Sequence, residues 1–519
     1  MPSGPLPANT SPMAKRTIIL YGFILLKFLL QYVLCNPAYD LQRDEYLHLD
    51  QANHLAWGYA SVPPITSLIS CVIRLLGNSV FWIRFFPALF GALTLVVVWK
   101  AIEELKGNLF ALVTGATCVL FSALLRLNFL FQPNSMDVLS WTTVYFLLIK
   151  YVNSPNRKWL FLISAASAIG FLNKYNIVFL LIGLLPALVL TRQRGLFLTK
   201  GIFFPVALFL LLILPNLLWQ YHNHFPVFHH LQKLADTQLV NVNRWDFFKE
   251  QAYFFLGALP VIIASLYALL CHALFRKFSF FFWAFIFTLA VFVWLRAKSY
   301  YAMGLYPIYI SFGAVFLGNV LQTGWKRYLR PVIIAIPILL YLLLFKLVFS
   351  VQSPADIVRH RTNYQKFGLL RWEDGKEHAL PQDFADMLGW KELVAKVDSI
   401  YAKLPNREGT LVLCDNYGQA GAINYYTRQG IRAMSFDADY INWFDLTHAY
   451  SNLIRVKWAD ARGNEMQETS PYFQTALVAD SVSNAYAREF GCTIFAFTGA
   501  KVDIRKRIED EIERTRNGE

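Results

Sequence analysis

The sequence contains none of the short motifs that bind nucleotide phosphates, activate a serine nucleophile or hold a catalytic zinc ion. Its 519 residues include no GxxxxGK[ST], GxGxxG, GxSxG or HExxH pattern in a usable context. A mechanism driven by nucleotide hydrolysis is therefore not expected.

Cysteine is also scarce. The six cysteines show no CxxC or metal-ligand spacing. Cys118 lies in an apolar run, which is typical of a small core residue. Cys414 and Cys492 share the C-terminal region, where a disulfide between them is one possibility.

No cleavable signal peptide is expected. Lys15 and Arg16 precede an apolar run, but Asn36-Pro37 and a charged stretch follow it where a small-residue cleavage site would be needed. We interpret the run as an uncleaved first membrane span at about 17–34, preceded by a cytoplasmic tail at 1–16.

Apolar residues are in excess. They make up 56% of the chain, and the mean hydropathy is +0.39, whereas soluble domains contain about 45–50% apolar residues. The excess lies in long runs, which predict a polytopic α-helical membrane protein. About eleven spans are predicted, near residues 17–34, 79–100, 108–125, 136–151, 159–172, 176–191, 201–219, 251–271, 278–295, 301–321 and 331–350.

The net charge of +14 comes from Lys and Arg in short loops, which indicates membrane orientation and not nucleic-acid binding. With the N-terminus inside, every inner loop is basic. The segments then predicted outside are 35–78, 126–135, 173–175, 220–250, 296–300 and everything after 350. Because the unusual polar residues all fall on that one side of the membrane, we expect one active, periplasmic face.

A charged stretch follows the first span directly and contains Asp40, Arg43, Asp44 and Glu45. Charge at a bilayer edge marks a functional candidate, although interfacial charges on a solvated loop are the alternative. A carboxylate flanked by Arg43 and aromatic residues can act as a general base toward a hydroxyl or bind a cation. Amphipathic helices are predicted within about 40–76, on the membrane surface.

Asp137 lies at the outer mouth of a predicted span. It is either a functional carboxylate or a first-turn residue favoured by the helix dipole, with Asn134 or Ser135 as N-cap. Lys174, in a short hairpin between two spans, is either a snorkelling lysine or a phosphate ligand, because a buried ammonium needs an anion.

Two further polar segments are predicted on the outer face. Arg296, Lys298 and Tyr301 lie between two spans and suit a phosphate or pyrophosphate group. The loop at 219–230 carries four histidines, including His222; its spacing is not a standard zinc pattern, so a loop that covers substrate is favoured.

Residues 351–519 are predicted to form a soluble α/β domain. Strands are predicted at 410–415, 432–436, 475–479 and 493–497, with a helix at 419–426. The charged tail at 501–519 is predicted to be a solvated helix.

These motifs together resemble the polyprenyl-phosphate-dependent glycosyltransferases of the membrane type-C fold. The acidic pair after span 1, Gly58-Tyr59, Pro63-Pro64, Asp137, Lys174 and Lys298-Ser-Tyr-Tyr301 carry the resemblance. More specifically, the chain resembles the bacterial branch related to protein O-mannosyltransferases and the lipid A aminoarabinose transferase. One departure is that Ser61-Val62 stands where the aminoarabinose transferase has a Glu-Lys pair.

The resemblance implies a multi-pass protein of the bacterial inner membrane, with a transmembrane domain at 17–350 and a periplasmic domain at 351–519. It implies sugar transfer from an undecaprenyl-phosphate or similar carrier to a glycan, lipid or protein acceptor. Asp44 would be the catalytic base, Glu45 its companion, and Asp137 the second acidic residue. The carrier and sugar would be bound by Arg43, Tyr59, Lys174, His222, Arg296, Lys298 and Tyr301.

Direct attack of the acceptor hydroxyl would invert the anomeric carbon. A divalent cation, Mg²⁺ or Mn²⁺, is possible at Asp44 or Asp137, although nothing requires it. The alternatives are a lipid or glycolipid transporter, which would place charges at mid-membrane depth, and a receptor anchored by its spans, for which eleven spans are excessive.

Overall fold

The computed structural model describes residues 12–198 and 201–517, so most of the predicted N-terminal tail lies outside the described residues. The helices of this part are α1 Pro12–Val33, α2 Arg43–Asp50, α3 Ile65–Leu75, α4 Val80–Glu104, α5 Leu109–Leu120, α6 Leu124–Leu127, α7 Asn134–Asn153, α8 Arg157–Asn173, α9 Ile177–Val189, α10 Phe203–His222, α11 Pro226–Thr237, α12 Arg244–Phe254, α13 Leu259–Cys271, α14 Ser279–Trp294, α15 Tyr306–Val320, α16 Arg330–Val348, α17 Pro354–Arg359, α18 Arg361–Lys366, α19 Gln382–Ala385, α20 Trp390–Tyr401, α21 Tyr417–Tyr426, α22 Glu465–Thr469 and α23 Ile504–Asn517. The strands are β1 Thr410–Cys414, β2 Ala433–Ser435, β3 Asn452–Lys457, β4 Phe473–Ser481 and β5 Thr493–Ala500.

Contacts between these elements divide the chain into two compact units. The helical unit comprises Met1–Cys35, Phe81–Leu218 and Val242–Phe349, and the sheet unit comprises Asn36–Val80, Trp219–Asn241 and Ser350–Glu519. The predicted amphipathic segment at about 40–76 therefore groups with the C-terminal residues, which the sequence interpretation had treated as a separate domain.

Helices lie at all eleven positions where the sequence predicts spans. Among the described residues, four of them are long and apolar enough to cross a membrane: Val80–Glu104, Phe203–His222, Ala273–Trp294 and Gly324–Val348. Only 6% of the most apolar 18-residue stretch of Gly324–Val348 is buried, as expected for a helix that faces lipid. Since α5, α9 and α15 are shorter, the count of eleven spans stays a prediction.

The predicted span at 251–271 is a broken helix. Helices α12 and α13 meet at an angle of 73°. Pro260 occupies the first turn of α13, a position that proline favours because it needs no intrahelical donor there. Because apolar residues continue across the break, hydropathy alone predicted a single span here.

Close helix packing in the helical unit depends on small residues. A Cβ placed on Gly313 of α15 would collide with the carbonyl oxygen of Val261 on α13. Membrane helices approach closely at such positions because lipid offers them no hydrophobic driving force for association.

The C-terminal strands form a mixed sheet in the order β2-β1-β3-β5-β4. Strands β2, β1 and β3 are parallel, whereas β5 runs antiparallel to both β3 and β4. All four predicted strands are confirmed, as is the helix after β1. Strand β3 was missed because its sequence, Asn-Leu-Ile-Arg-Val-Lys, is short and polar at intervals.

The charged tail helix was only partly predicted. Helix α23 has an apolar stripe of Ile504, Ile508 and Ile512, which is buried against Phe495 and Phe497 of the sheet. A spacing of four residues puts these side chains on one face, so the helix covers the core and is not merely solvated. Cys414 and Cys492 are buried free thiols, so they do not form the possible disulfide.

Helix α2 packs against α21 in the sheet unit. Six of its eight residues, Glu45–Asp50, are buried, which leaves little surface for the expected membrane contact. Helix α3 fits that expectation better, because Leu68, Val72 and Leu75 are exposed along one face.

Gly421→Ala tests the packing of α2 on α21. A Cβ at Gly421 would lie 2.8 Å from Tyr46 Cβ and 2.8 Å from Tyr440 Oη. We expect the overpacking cost of about 1–3 kcal/mol to outweigh the helix-propensity gain of about 0.5–1 kcal/mol. Thermal unfolding in detergent should show a lower Tm for Gly421→Ala and no change for Gly463→Ala, where a Cβ meets nothing within 4 Å. A higher Tm for Gly421→Ala would contradict this packing.

Asp439 provides a pH test of the sheet unit. Its buried carboxylate accepts hydrogen bonds from Gln51 Nε2 (2.9 Å) and Ala60 N (2.7 Å), and burial raises its pKa to about 6. The folded state thus holds this proton more tightly than the unfolded chain, whose Asp pKa is about 3.9. The resulting stability is fully present below pH about 4 and is lost as pH rises through about 6.

Asp439→Asn should therefore flatten the fall in Tm between pH 4 and 6. The substitution removes a pH-dependent contribution on the order of 2 kcal/mol to the free energy of unfolding. The exposed Asp460→Asn serves as the control. If the Tm–pH slope of Asp439→Asn equals that of the unmodified protein, the carboxylate is not the group that titrates.

Candidate functional site

The helical unit contains a polar cluster centred on Asp137. This residue lies in the first turn of α7 and is 4% exposed. Its carboxylate accepts hydrogen bonds from Trp141 Nε1 (3.0 Å) and Asn176 Nδ2 (2.7 Å). Pro133, and not Asn134 or Ser135, is the N-cap of α7, so that part of the sequence interpretation was wrong.

Lys174 joins this cluster from the end of α8. Its ammonium donates to Asn134 Oδ1 at 2.7 Å and lies 4.2 Å from the ring centre of Tyr301 and 5.2 Å from that of Tyr300. Asp137 attracts it electrostatically and Lys298 repels it. A cation whose direct contacts are a neutral amide and aromatic faces can still bind an anion.

The segment that follows α14 completes the cluster. Asn176 Nδ2 also donates to the carbonyl oxygen of Tyr301 at 3.0 Å, and Lys298 begins the 3₁₀ turn Ser299–Gly304. The structure thus brings together Asp137, Lys174, Lys298 and Tyr301. Within the described residues, the contacts that join them do not include Arg296, whose side chain is exposed and whose φ is 52°.

Sequence reasoning missed two members of this cluster, Asn134 and Asn176. Each lies within three residues of a predicted site residue, and their amides connect Asp137, Lys174 and Tyr301. The signal was the polar tetrapeptide Asn173-Lys-Tyr-Asn176 between two apolar runs.

The sheet unit contains the second candidate group, built on the first turn of α2. Asp44 Oδ1 accepts a hydrogen bond from Tyr417 Oη at 2.7 Å and lies 3.5 Å from Arg43 Nε. The Arg43 guanidinium covers the Tyr417 ring at 5.0 Å. Because the Asp44 side chain is 34% exposed, a substrate hydroxyl can reach it.

Glu45 has a different environment from its neighbour. It is fully buried, and its Oε2 accepts a hydrogen bond from the backbone N–H of Gln42 at 2.7 Å. Gln42 in turn caps the helix through a bond from the N–H of Asp44. This is a capping box, which gives Glu45 a structural role and does not favour the catalytic one expected for it.

Tyr59 and His222 also lie in the sheet unit. The Tyr59 hydroxyl is tied to the surrounding loop, since it donates to the carbonyl oxygen of His54 at 3.0 Å and accepts from the N–H of Ala56. His222 ends α10 with an exposed side chain. These contacts fit Tyr59 as a loop-ordering residue, and its predicted binding role stays a prediction.

The donor sets do not fit a metal ion. In the part of the chain that the structure describes, no three His, Cys, Asp or Glu side chains are grouped to hold one. Both oxygens of Asp137 accept N–H donors, which a metal would have to displace.

Comparison with known proteins identifies relatives for part of the chain. Residues 61–219 match the family model of dolichyl-phosphate-mannose-protein mannosyltransferases. The lipid A galacturonosyltransferase RgtD of Rhizobium johnstonii is 25% identical over 231 residues. That alignment covers 44% of this chain and 47% of RgtD, so the match spans about half the length of the curated relative.

Solved structures share the fold over nearly the whole chain. ArnT from Cupriavidus metallidurans bound to undecaprenyl phosphate matches with a TM-score of 0.61 at 14% identity, covering 92% of this chain and 98% of ArnT. The apo form of ArnT matches with a TM-score of 0.59. The chain therefore shares the fold of ArnT over most of its length.

Proposed function

We propose that this chain is a membrane glycosyltransferase that moves a sugar from a polyprenyl-phosphate carrier to an acceptor hydroxyl. The acceptor is part of a glycan, a lipid or a protein, and transfer takes place on the periplasmic face of the bacterial inner membrane. The fold shared with ArnT, which binds undecaprenyl phosphate, and the local similarity to mannosyl- and galacturonosyltransferases support this assignment.

The domain and orientation assignments are part of this proposal. Residues 17–350 carry the membrane spans, 1–16 are cytoplasmic, and 351–519 are periplasmic. The basic inner loops support this orientation, because positive charge is retained on the cytoplasmic side.

One observation carries the proposal: the Lys174 ammonium lies in a preformed polar cluster. Its ammonium contacts an amide oxygen and two aromatic rings, so the negative charge of a carrier phosphate would be favourable there. Lys298 adds a second positive charge within electrostatic range. Positive charge at a departing phosphate stabilises the transition state of transfer.

Asp44 is the proposed general base. Its carboxylate takes the proton of the acceptor hydroxyl while that oxygen attacks the anomeric carbon. The bond between the anomeric carbon and the carrier phosphate oxygen breaks, and the polyprenyl phosphate leaves with the bonding electrons. Attack from the side opposite the phosphate inverts the anomeric configuration.

Asp44→Asn tests the base assignment. Loss of a general base lowers turnover by about 10²–10⁴-fold, so kcat for sugar transfer should fall by that factor while binding of undecaprenyl phosphate is unchanged. Suitable donors for the assay of the purified protein are undecaprenyl-phosphate mannose and undecaprenyl-phosphate galacturonate. The lipid or glycan acceptors are chosen by mass spectrometry of the material that co-purifies with the protein.

Asp40→Asn is the matched control, because Asp40 belongs to the same stretch but pairs with Lys391 at 2.8 Å. It should retain transfer. Unchanged turnover by Asp44→Asn would rule out the assigned base.

Lys174→Met tests the phosphate site. Removing a charge-assisted contact worth about 1.5–3 kcal/mol should weaken binding of undecaprenyl phosphate by about 10–100-fold. The control is Lys158→Met at the other end of α8, where the ammonium lies 4.6 Å from the Trp159 ring. Native mass spectrometry or thermophoresis gives the affinity, and equal affinities for Lys174→Met and the unmodified protein would refute the site.

A further inference from the structure

We propose that Tyr417 is a positioning residue that holds the Asp44 carboxylate for proton transfer, so that the C-terminal α/β segment takes part in the reaction. The inference rests on the proposed function, and it assigns a task to a segment that the sequence interpretation left without one.

The contact is direct. Tyr417 Oη donates to Asp44 Oδ1 at 2.7 Å, and Arg43 Nε approaches the same oxygen at 3.5 Å. A hydrogen bond and an ion pair to the same carboxylate oxygen restrict the movement of the carboxylate. They also favour its ionised form, which is the form that acts as a base.

Tyr417 is itself rigidly held. It is the first residue of α21, whose N-cap Asn416 accepts a bond from the N–H of Gln419. The Asn416 amide and Gln419 Nε2 both donate to the buried Glu489 carboxylate. Because these partners lie in the interior of the sheet unit, the Tyr417 hydroxyl has little freedom to move.

The location of this contact is informative. Helix α21 follows β1, which lies between the parallel strands β2 and β3. In open α/β sheets, such a point beyond the carboxyl ends of the strands is where ligands usually bind. Here Arg43 and Asp44 of α2 occupy it, so the sheet holds a piece of the chain's own proposed active site.

Close approach between the two helices depends on Gly418. A Cβ at this position would collide with Arg43 Cγ. Glycine therefore lets Arg43 lie over the Tyr417 ring, with its guanidinium beside Asp44. Gly418 thus leaves room for Arg43, while Tyr417 contacts both Arg43 and Asp44.

Tyr417 should remain a donor throughout the working pH range. Burial, together with the adjacent Asp44, raises its pKa well above the usual value, against the opposing effect of Arg43. The charged groups that influence Asp44 include Arg43 on its own helix and the buried Asp386, which pairs with Arg488 at 3.0 Å.

The test is the pH profile of kcat/KM for sugar transfer by full-length Tyr417→Phe. Loss of the phenol donor disfavours the carboxylate, so the acidic limb should move up by about one pH unit, with activity about 10-fold lower on that limb. At higher pH, where Asp44 is ionised in both proteins, activity should approach that of the unmodified enzyme. A uniform loss at every pH would mean a merely structural role and would overturn the inference.

Tyr425→Phe is the matched control. It lies on the same helix, and its hydroxyl donates to the carbonyl oxygen of Asn78 at 2.8 Å, so it loses a comparable bond without touching Asp44. Its acidic limb should stay in place.

A second variant keeps the test decisive if Tyr417→Phe folds poorly. Incorporation of 3-fluorotyrosine at position 417 keeps the shape of the ring but strengthens the donor, and should move the acidic limb to lower pH. An unmoved limb would count against the inference.

If Asp44→Asn retains transfer, the base assignment itself fails. If Asp44→Asn is inactive and Tyr417→Phe has an unaltered pH profile, only the positioning role fails.

Discussion

The packing of α2 on α21 is the interaction on which the proposed chemistry of the sheet unit depends. Glycines on α21 let the shorter helix approach closely, and Tyr46 fills the space beyond them. This contact buries Glu45 in a capping box and leaves Asp44 beside Tyr417 at the edge of the buried surface. Two adjacent carboxylates therefore acquire different roles, one structural and one available for proton transfer.

A second constraint operates in the helical unit. A carboxylate such as Asp137 is costly to bury unless donors satisfy it. Trp141 and Asn176 supply those donors, and Asn176 also binds the backbone of Tyr301. Satisfying Asp137 thus ties α7, the start of α9 and the turn at Ser299–Gly304 together. The same contacts set the surroundings of Lys174, where the proposal puts the carrier phosphate.

By its contacts, the charged stretch after the first helix belongs with the C-terminal residues. The proposed role of Tyr417 would give the α/β segment a part in the reaction through its hydrogen bond to Asp44.

The sequence alone determined the membrane class, the positions of the apolar helices and most of the sheet, because hydropathy patterns depend on consecutive residues. Local motifs likewise identified Asp44, Asp137, Lys174 and Tyr301 as candidate site residues. It could not show the broken helix before Cys271, the capping role of Glu45 or the isoleucine stripe of α23, where local composition conceals the pattern. Tertiary structure alone decided that Tyr417 meets Asp44 and that Asn134 and Asn176 join the lysine cluster. These contacts link residues from about 40 to more than 370 positions apart, and no local preference of the chain specifies such pairings.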